Sequence, residues 1–306
     1  MKWRDKLVLL YKYRTDSERT EEIIEKNEVW FAKPETLNDP LECSIQEIAE
    51  KSIIKCCEQE KKEQLEGFVL AYVMTNEHDL MWGLPKNEIK QVLSEIGNIQ
   101  GFDGKYRIFA DFIKSRTGNY PSNPASKYMY ITDILRNVGI FSLSETCDNE
   151  LMWGHYADGG KGIAIGFDIQ DESSITPHSL CLKVNYTNEA LILKDRIKPT
   201  LAFTVDGNGN QLFFQAAAFD DPFLKTVMST KNTTWAYEKE WRCVEQMQGL
   251  RAIISPITEI VFGLKCPFKT RKKYIDLAKE RYGESICFFE IVLRGRTLEK
   301  KPLIMN

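Results

Sequence analysis

Residues 138–167 read VGIFSLSETCDNELMWGHYADGGKGIAIGF, and the order of elements in this stretch decides the fold class. Val138 to Ser144 is a short apolar run ending in two serines, which reads as a buried strand. A short helix from Asp148 would carry Leu151, Met152, Trp153, His155 and Tyr156, with Gly159 and Gly160 ending it. Gly162 to Phe167 reads as a further strand. Upstream, Leu7 to Tyr13 has strand propensity, and Asp16 or Ser17 caps a helix whose apolar positions include Ile23 and Ile24. A short strand at Val29 to Phe31 follows, and Lys33-Pro34 with Asn38-Asp39-Pro40 stop it. Downstream, strands are expected at residues 180–186, 240–245, 259–262 and 285–293, a turn at Asn208-Gly209, a helix over 211–228 and a basic helix over 269–282. The order is mixed rather than a regular βαβ alternation, so an α+β fold is preferred over a doubly wound sheet. From Leu41 to Asn137 the chain is helical in character, broken at Gly67, Pro85, Gly97, Gly101 and residues 118–124. It reads as a helical insertion or subdomain (41–137) within one elaborated domain spanning 1–306.

Composition excludes several classes. The 306 residues are 43% hydrophobic and 28% charged with a formal charge of -3, as in ordinary globular proteins and unlike those whose main task is to hold duplex DNA. Nucleic acid stays open as a substrate without being favoured. Residues 265–301 hold eleven Lys or Arg against five Asp or Glu, which describes either a solvated helix face or a local patch for phosphate or nucleic acid. No apolar run approaches a membrane span, and the start, MKWRDKLVLLYKYR, does not read as a signal peptide. The eight cysteines are too sparse for a disulfide scaffold and read as reduced buried thiols in a cytoplasm.

The nucleotide motifs G-x-x-x-x-G-K-[ST] and G-x-G-x-x-G are missing, as are H-E-x-x-H, any C-x-x-C pair and G-x-S-x-G. With His78, His155 and His178 as the only histidines, zinc spacing is not offered, and metal-free chemistry is favoured. Asp158-Gly-Gly-Lys-Gly162 reads as a turn before a strand or as a backbone nest for phosphate.

Three clusters combine reactive groups with aromatics. In LYKYR (10–14), strand alternation puts Tyr11 and Tyr13 on one face and Lys12 on the other. In the second, Ser142 and Ser144 precede the helix with Trp153, His155 and Tyr156; Trp153 and Tyr156 share a helical face. The bland reading there makes Trp153 core and His155 a structural residue. The third runs from Lys231 through Trp235, Tyr237, Glu238 and Glu240 to Arg242; on a strand, Glu240 and Arg242 share a face opposite Trp241 and Cys243.

The set LYKYR, EVWFAKPxxLNDP, FSLSE with LMWGHYADGGKGIAIGF, and WAYEKEWR resembles a widespread bacterial and phage family catalogued as domain of unknown function 2971. The motifs run from Leu10 to Arg242 with a weaker echo at Ile260-Val-Phe-Gly263, and Leu37 and Leu41 stand where Phe is more usual. That family is similar, more distantly, to the ADP-ribosyltransferase fold. The resemblance implies a mixed, mainly antiparallel sheet and an NAD-binding cleft built from three motifs. Tyr11, Tyr13 or Arg14 would fill the first motif, Ser142, Ser144 and Tyr156 the second, and Glu238 or Glu240 the third.

Breaking the nicotinamide–ribose bond passes through an oxocarbenium-like state. It needs a carboxylate near the ribose, a π-face for the nicotinamide and donors for phosphate. On this reading Glu240 is the carboxylate that holds a ribose hydroxyl, with Glu238 as the alternative, Tyr156 or Trp153 is the platform, and Arg14 with Lys231 are the phosphate partners; Tyr11, Tyr13, Ser142, Ser144 and His155 complete the cofactor surface. The expected function is an NAD-dependent ADP-ribosyltransferase or NAD glycohydrolase in bacterial or phage conflict, with NAD as substrate and an unknown macromolecular acceptor. The alternative is a non-catalytic module that binds a nucleotide or a protein partner.

Overall fold

The computed structural model describes residues 8–77, 80–81, 84–169, 175–205 and 211–304. The chain divides into two compact units, one of residues 1–44, 133–190 and 224–306, the other of residues 45–132 and 191–223.

The first unit contains an eight-stranded sheet, here numbered in chain order: β1 (Val8–Arg14), β2 (Gly139–Ser144), β3 (Ile163–Ile169), β4 (Leu180–Lys183), β5 (Glu240–Glu245), β6 (Ile257–Phe262), β7 (Cys287–Arg294) and β8 (Thr297–Pro302). Across the sheet they lie in the order β8-β7-β6-β3-β1-β2-β5-β4. Every neighbouring pair is antiparallel except β6 and β7, which are parallel and joined through the helix Phe268–Tyr282, as a parallel pair requires. The protein is thus α+β with a mixed, mostly antiparallel sheet. One face, with Leu10, Phe141, Leu143 and Phe167, packs with Ile23 and Ile24 of the helix Glu18–Lys26 and with Tyr274 and Ala278 of Phe268–Tyr282. The other face, with Tyr11, Tyr13, Ala164 and Val261, is covered by Met152 and Trp153 of the helix Glu150–Tyr156. Asn149 caps that helix by accepting from the Leu151 and Met152 amides at 2.9 and 3.2 Å, which sets its start two residues after Asp148.

The middle of the sheet is open. β1 pairs with β3 from Val8 to Arg14, and β2 pairs with β5 from Gly139 to Ser144, yet β1 and β2 meet in register only at Tyr11 and Ser144. Beyond that point they part, and the Lys12 ammonium bridges the gap to the Ser142 carbonyl at 2.8 Å. This divergence makes room for the pocket described below.

The DGGKG segment is a tight turn packed on backbone. Asp158, Gly159 and Gly160 all take positive φ, and the Gly263 and Lys265 amides donate to the Gly162 and Gly160 carbonyls. A Cβ on Gly162 would stand 2.1 Å from the Arg14 carbonyl oxygen, a clash only backbone movement could relieve. Gly162→Ala is therefore expected to lower the unfolding free energy by about 2–3 kcal/mol, read from urea denaturation. An unchanged midpoint would show that the turn yields freely.

Three sequence expectations are corrected. The helix expected over 211–228 begins only at Pro222: Gln211–Ala217 is a strand paired antiparallel with Pro199–Val205, and the helix is Pro222–Met228. The Asn208-Gly209 turn lies outside the described residues. The strand over 180–186 breaks after Lys183, and Asn185–Tyr186 pairs instead with Thr230–Lys231. β8, with the sequence TLEKKP, was not expected, because an edge strand carrying alternating charge reads as loop. Five of the eight free cysteines are buried, but Cys287 is exposed.

The second unit packs Phe68 of the helix Glu50–Met74, Ile89 and Ile96 of Lys86–Asn98, and Phe109 and Phe112 of Phe102–Thr117 into its own core. A buried Lys127–Glu60 ion pair of 2.5 Å lies in the same unit, with Lys127 also donating to the Ile197 carbonyl. Thus residues 191–223 join the helical segment, whose bounds in this unit are 45–132 rather than the 41–137 expected from sequence. Among the described residues no helix is long and apolar enough to cross a membrane.

Candidate active site

Where β1 and β2 part, a cavity of about 240 Å³ opens, and three distant stretches of the chain supply its wall. β1 contributes Tyr11 and Tyr13, β2 contributes Ser142 and Ser144, and β5 with the turn before it contributes Glu238 and Glu240; Asn38, Glu42, Tyr156 and Lys231 close it. Register explains the convergence. Ser144 stands opposite both Tyr11 and Glu240, and Ser142 opposite Arg242, so strand alternation sends all of these side chains to one face.

Five charged groups meet here, each at most 7% exposed: Glu42, Lys231, Glu238, Glu240 and Arg242. Lys231 Nζ lies 2.6 Å from Glu238, 3.1 Å from Glu240 and 3.4 Å from Glu42. Arg242 Nε donates to Glu240 at 3.0 Å, Nη1 donates to the Met228 carbonyl at 2.9 Å, and Nη2 pairs with Glu42. Within this cluster three carboxylates share two cations, a formal charge of -1 for the five groups, and the Lys12 ammonium lines the same cavity without an ion-pair contact to any of them.

The surplus is unevenly distributed. Burial alone would raise the Glu240 carboxyl, but the Arg242 guanidinium and the Lys231 ammonium overcome it and hold the group at about 2. Glu42 goes the other way: burial raises its carboxyl against the pull of the same two cations, and among the described residues neither oxygen accepts a well-formed hydrogen bond. Burial would lower the Lys231 ammonium, yet Glu240 and Glu238 raise it. Glu240 is therefore the committed ion-pair partner, and Glu42 is the group best placed to hold a proton.

The linkage has a definite sign. The folded-state pKa of Glu240 lies below its ordinary 4.5, so its stabilisation is complete above 4.5 and is lost as the pH falls towards 2. Glu42, raised, costs stability as the pH climbs past 4.5. The stability gap between wild type and Glu240→Gln should accordingly narrow as the pH falls from about 5 towards 3, followed by urea denaturation. A gap independent of pH would mean that the carboxylate is not held by these cations.

Glu238 is placed differently. Its Oε2 faces Lys231, while Oε1 accepts from Tyr156 Oη at 2.5 Å and from Asn38 at 3.5 Å. Asn38 also donates to the Tyr156 oxygen. Burial and the Glu238 bond push the Tyr156 phenol well above its ordinary value, so it stays a donor at neutral pH. Ser144 Oγ donates to the Glu238 carbonyl at 2.7 Å and Tyr186 Oη accepts from the Glu240 amide at 2.7 Å, which pins this turn to the sheet.

The remaining candidates fall elsewhere. Trp153 is buried, donates to the Cys147 carbonyl at 2.8 Å and sits edge-on to Tyr13 with ring centroids 5.0 Å apart, so its faces serve the core and it does not line the cavity. His155 is exposed outside the cavity, 6.3 Å from the Tyr237 ring. Arg14 lines a neighbouring cavity. Lys231, expected to meet phosphate, is engaged by carboxylates. In the basic segment, Lys273 pairs with Asp16 and Glu21, and Arg271 with Glu290.

Sequence reading missed Glu42 and gave Asn38 no role. Asn38 lies within the EVWFAKPxxLNDP motif; Glu42 lies two residues beyond the end of that motif, and only the fold brings it to Arg242. Among the described residues no group of three His, Cys, Asp or Glu side chains is arranged to hold a metal ion.

Fold and site together define an α+β protein with a glutamate- and tyrosine-lined pocket in a parted antiparallel sheet. Residues 152–243 match a family described as Protein of unknown function (DUF2971). That stretch carries Tyr156, Lys231, Glu238, Glu240 and Arg242, whereas Tyr11, Asn38, Glu42, Ser142 and Ser144 lie outside it. No curated protein and no solved structure matches the chain.

Proposed function

We propose that the pocket cleaves the nicotinamide–ribose bond of NAD, as an ADP-ribosyltransferase or NAD glycohydrolase, with Glu238 as the carboxylate that faces the ribose. The observation that carries this reading is that Tyr11, Ser142, Tyr156, Glu238 and Glu240, drawn from three remote segments, line one concave cavity. The order of the motifs, similar to that of ADP-ribosyltransferases, supports it as well.

The division of labour follows from charge. Glu240 is bound on both oxygens by Arg242 and Lys231 and serves to hold Lys231 and the strand. Glu238 keeps one oxygen on Tyr156 and Asn38, neutral donors that a ribose hydroxyl can replace without leaving an ion unpaired. An anionic carboxylate there favours positive charge developing on the ribose, and the Tyr156 ring offers a surface to the leaving nicotinamide. The cavity of about 240 Å³ suits the nicotinamide riboside end rather than the whole dinucleotide.

A second reading is favoured by one observation: all three carboxylates already have cations beside them, as in a site that binds without reacting. It is a nucleotide- or protein-binding module. Incubation of the purified chain with NAD separates the two. Release of nicotinamide, followed by chromatography, supports catalysis; saturable NAD binding with no release across a range of acceptors selects the module.

A further inference from the structure

A second cavity, of about 280 Å³, adjoins the first and shares Lys12, Leu37 and Ser142 with it. Its wall carries three cations: Lys12 and Arg14 from β1 and Arg19 from the helix Glu18–Lys26. Elsewhere in this unit the half-buried or buried cations Lys231, Arg242, Arg271, Lys273 and Lys300 each have a carboxylate within 4.0 Å. Among the described residues, Lys12, Arg14 and Arg19 have none. Lys12 spends one donor on the Ser142 carbonyl, Arg14 spends Nε on Thr20 Oγ1 at 3.3 Å, and Arg19 rests 5.9 Å from the Trp30 ring. Two acids also line the cavity. Glu22 is bonded to Lys26 at 2.8 Å and feels Arg19 less strongly, and Glu28 acts on the Lys26 ammonium.

Three like charges around one hollow repel one another, and the cost is visible. Burial and the neighbouring Arg14 push the Lys12 ammonium down to about 8 against the opposing pull of the more distant Glu240 and Glu238, and burial with Arg19 lowers the Arg14 guanidinium. A dianion between them would reverse the sign of those interactions. Beside the cations the wall turns apolar: Trp30 and Leu250 stand opposite each other in the strand pair Glu28–Phe31 with Gly249–Ala252, and are 47% and 49% exposed.

We propose that this second cavity binds a phosphomonoester attached to a flat apolar group, the chemistry of a nucleoside monophosphate, with Lys12, Arg14 and Arg19 on the phosphate and Trp30 against the ring. A phosphomonoester is mostly dianionic at neutral pH, and guanidinium groups match its oxygens. The site stands on the charge inventory of this cavity and does not require any reaction in the glutamate pocket.

Calorimetric titration of the full chain with adenosine monophosphate, inorganic phosphate and adenosine tests it. The monophosphate should bind, inorganic phosphate should bind more weakly, and adenosine should bind at least tenfold more weakly than the monophosphate. Arg14→Gln and Arg19→Gln should each weaken the monophosphate tenfold or more; Arg19 is exposed, so its replacement leaves the fold intact even where Arg14→Gln does not. Ligand-induced change in tryptophan fluorescence should disappear in Trp30→Phe. Equal affinity for adenosine and its monophosphate overturns the proposal. So does no binding of either phosphate, binding that survives Arg19→Gln, or a fluorescence change that persists in Trp30→Phe.

Discussion

Glu238→Gln is expected to lower nicotinamide release by a hundredfold or more, on the order of 3 kcal/mol in the barrier, while the protein still folds. The substitution is nearly isosteric, and its amide oxygen still accepts from Tyr156 and Asn38, while its NH2 group takes the place of the oxygen that accepted from Lys231. It removes one carboxylate from a set in which three share two cations, so the buried charge moves from -1 to zero and Lys231 keeps Glu240 and Glu42. What it takes away is the negative charge that would face the developing oxocarbenium ion. The measurement is the initial rate of nicotinamide release beside the urea denaturation midpoint. Loss of rate with an unchanged midpoint supports the assignment, and retained rate sinks it. An equal loss in Tyr156→Phe would show that the phenol, and not the carboxylate charge alone, is needed.

Arg242→Met should act on stability, by about 3–5 kcal/mol, because it leaves buried carboxylates without their counter-ion. Arg242 is fully buried, holds Glu240 and Glu42 together and also donates to the Met228 carbonyl. Methionine roughly fills the volume, so the loss is electrostatic rather than a cavity. With Lys231 as the one cation left in ion-pair contact with the three glutamates, the formal charge of the cluster falls to -2. Mildly acid conditions should restore part of the loss, since protonating Glu42 and Glu240 removes the repulsion. Denaturation at neutral pH and near pH 5 checks both statements. A loss below about 1 kcal/mol would show that the cluster relaxes or admits water.

Sequence and structure divide cleanly here. The strands of the first unit were legible because buried runs such as GIFSLS and GIAIGF are short, apolar and bounded by turn residues. Alternation on single strands was legible too, and it put Glu240 with Arg242 and Tyr11 with Tyr13. β8 was hidden by its charge, and the strand Gln211–Ala217 by an Ala-rich run that suits a helix equally well.

The site was legible as a set of motifs and not as a set of roles. Trp153 and Tyr156 share a helical face, but three residues of rotation put one in the core against Tyr13 and the other over Glu238. Likewise Lys231 reads as a free cation until the turn at residues 233–238 folds back and sets Glu238 upon it.

What the sequence by itself determined is local: which segments are strands, which face of each is polar, and which reactive side chains the chain has to offer. The tertiary structure decided which of them meet. A single register contact between Tyr11 and Ser144, with divergence beyond it, opens the pocket, and the return of Glu42 to Arg242 settles which carboxylate is satisfied. Alternation and propensity act over a few residues, whereas the parting of two strands and the sharing of two cations among three acids depend on groups more than a hundred residues apart.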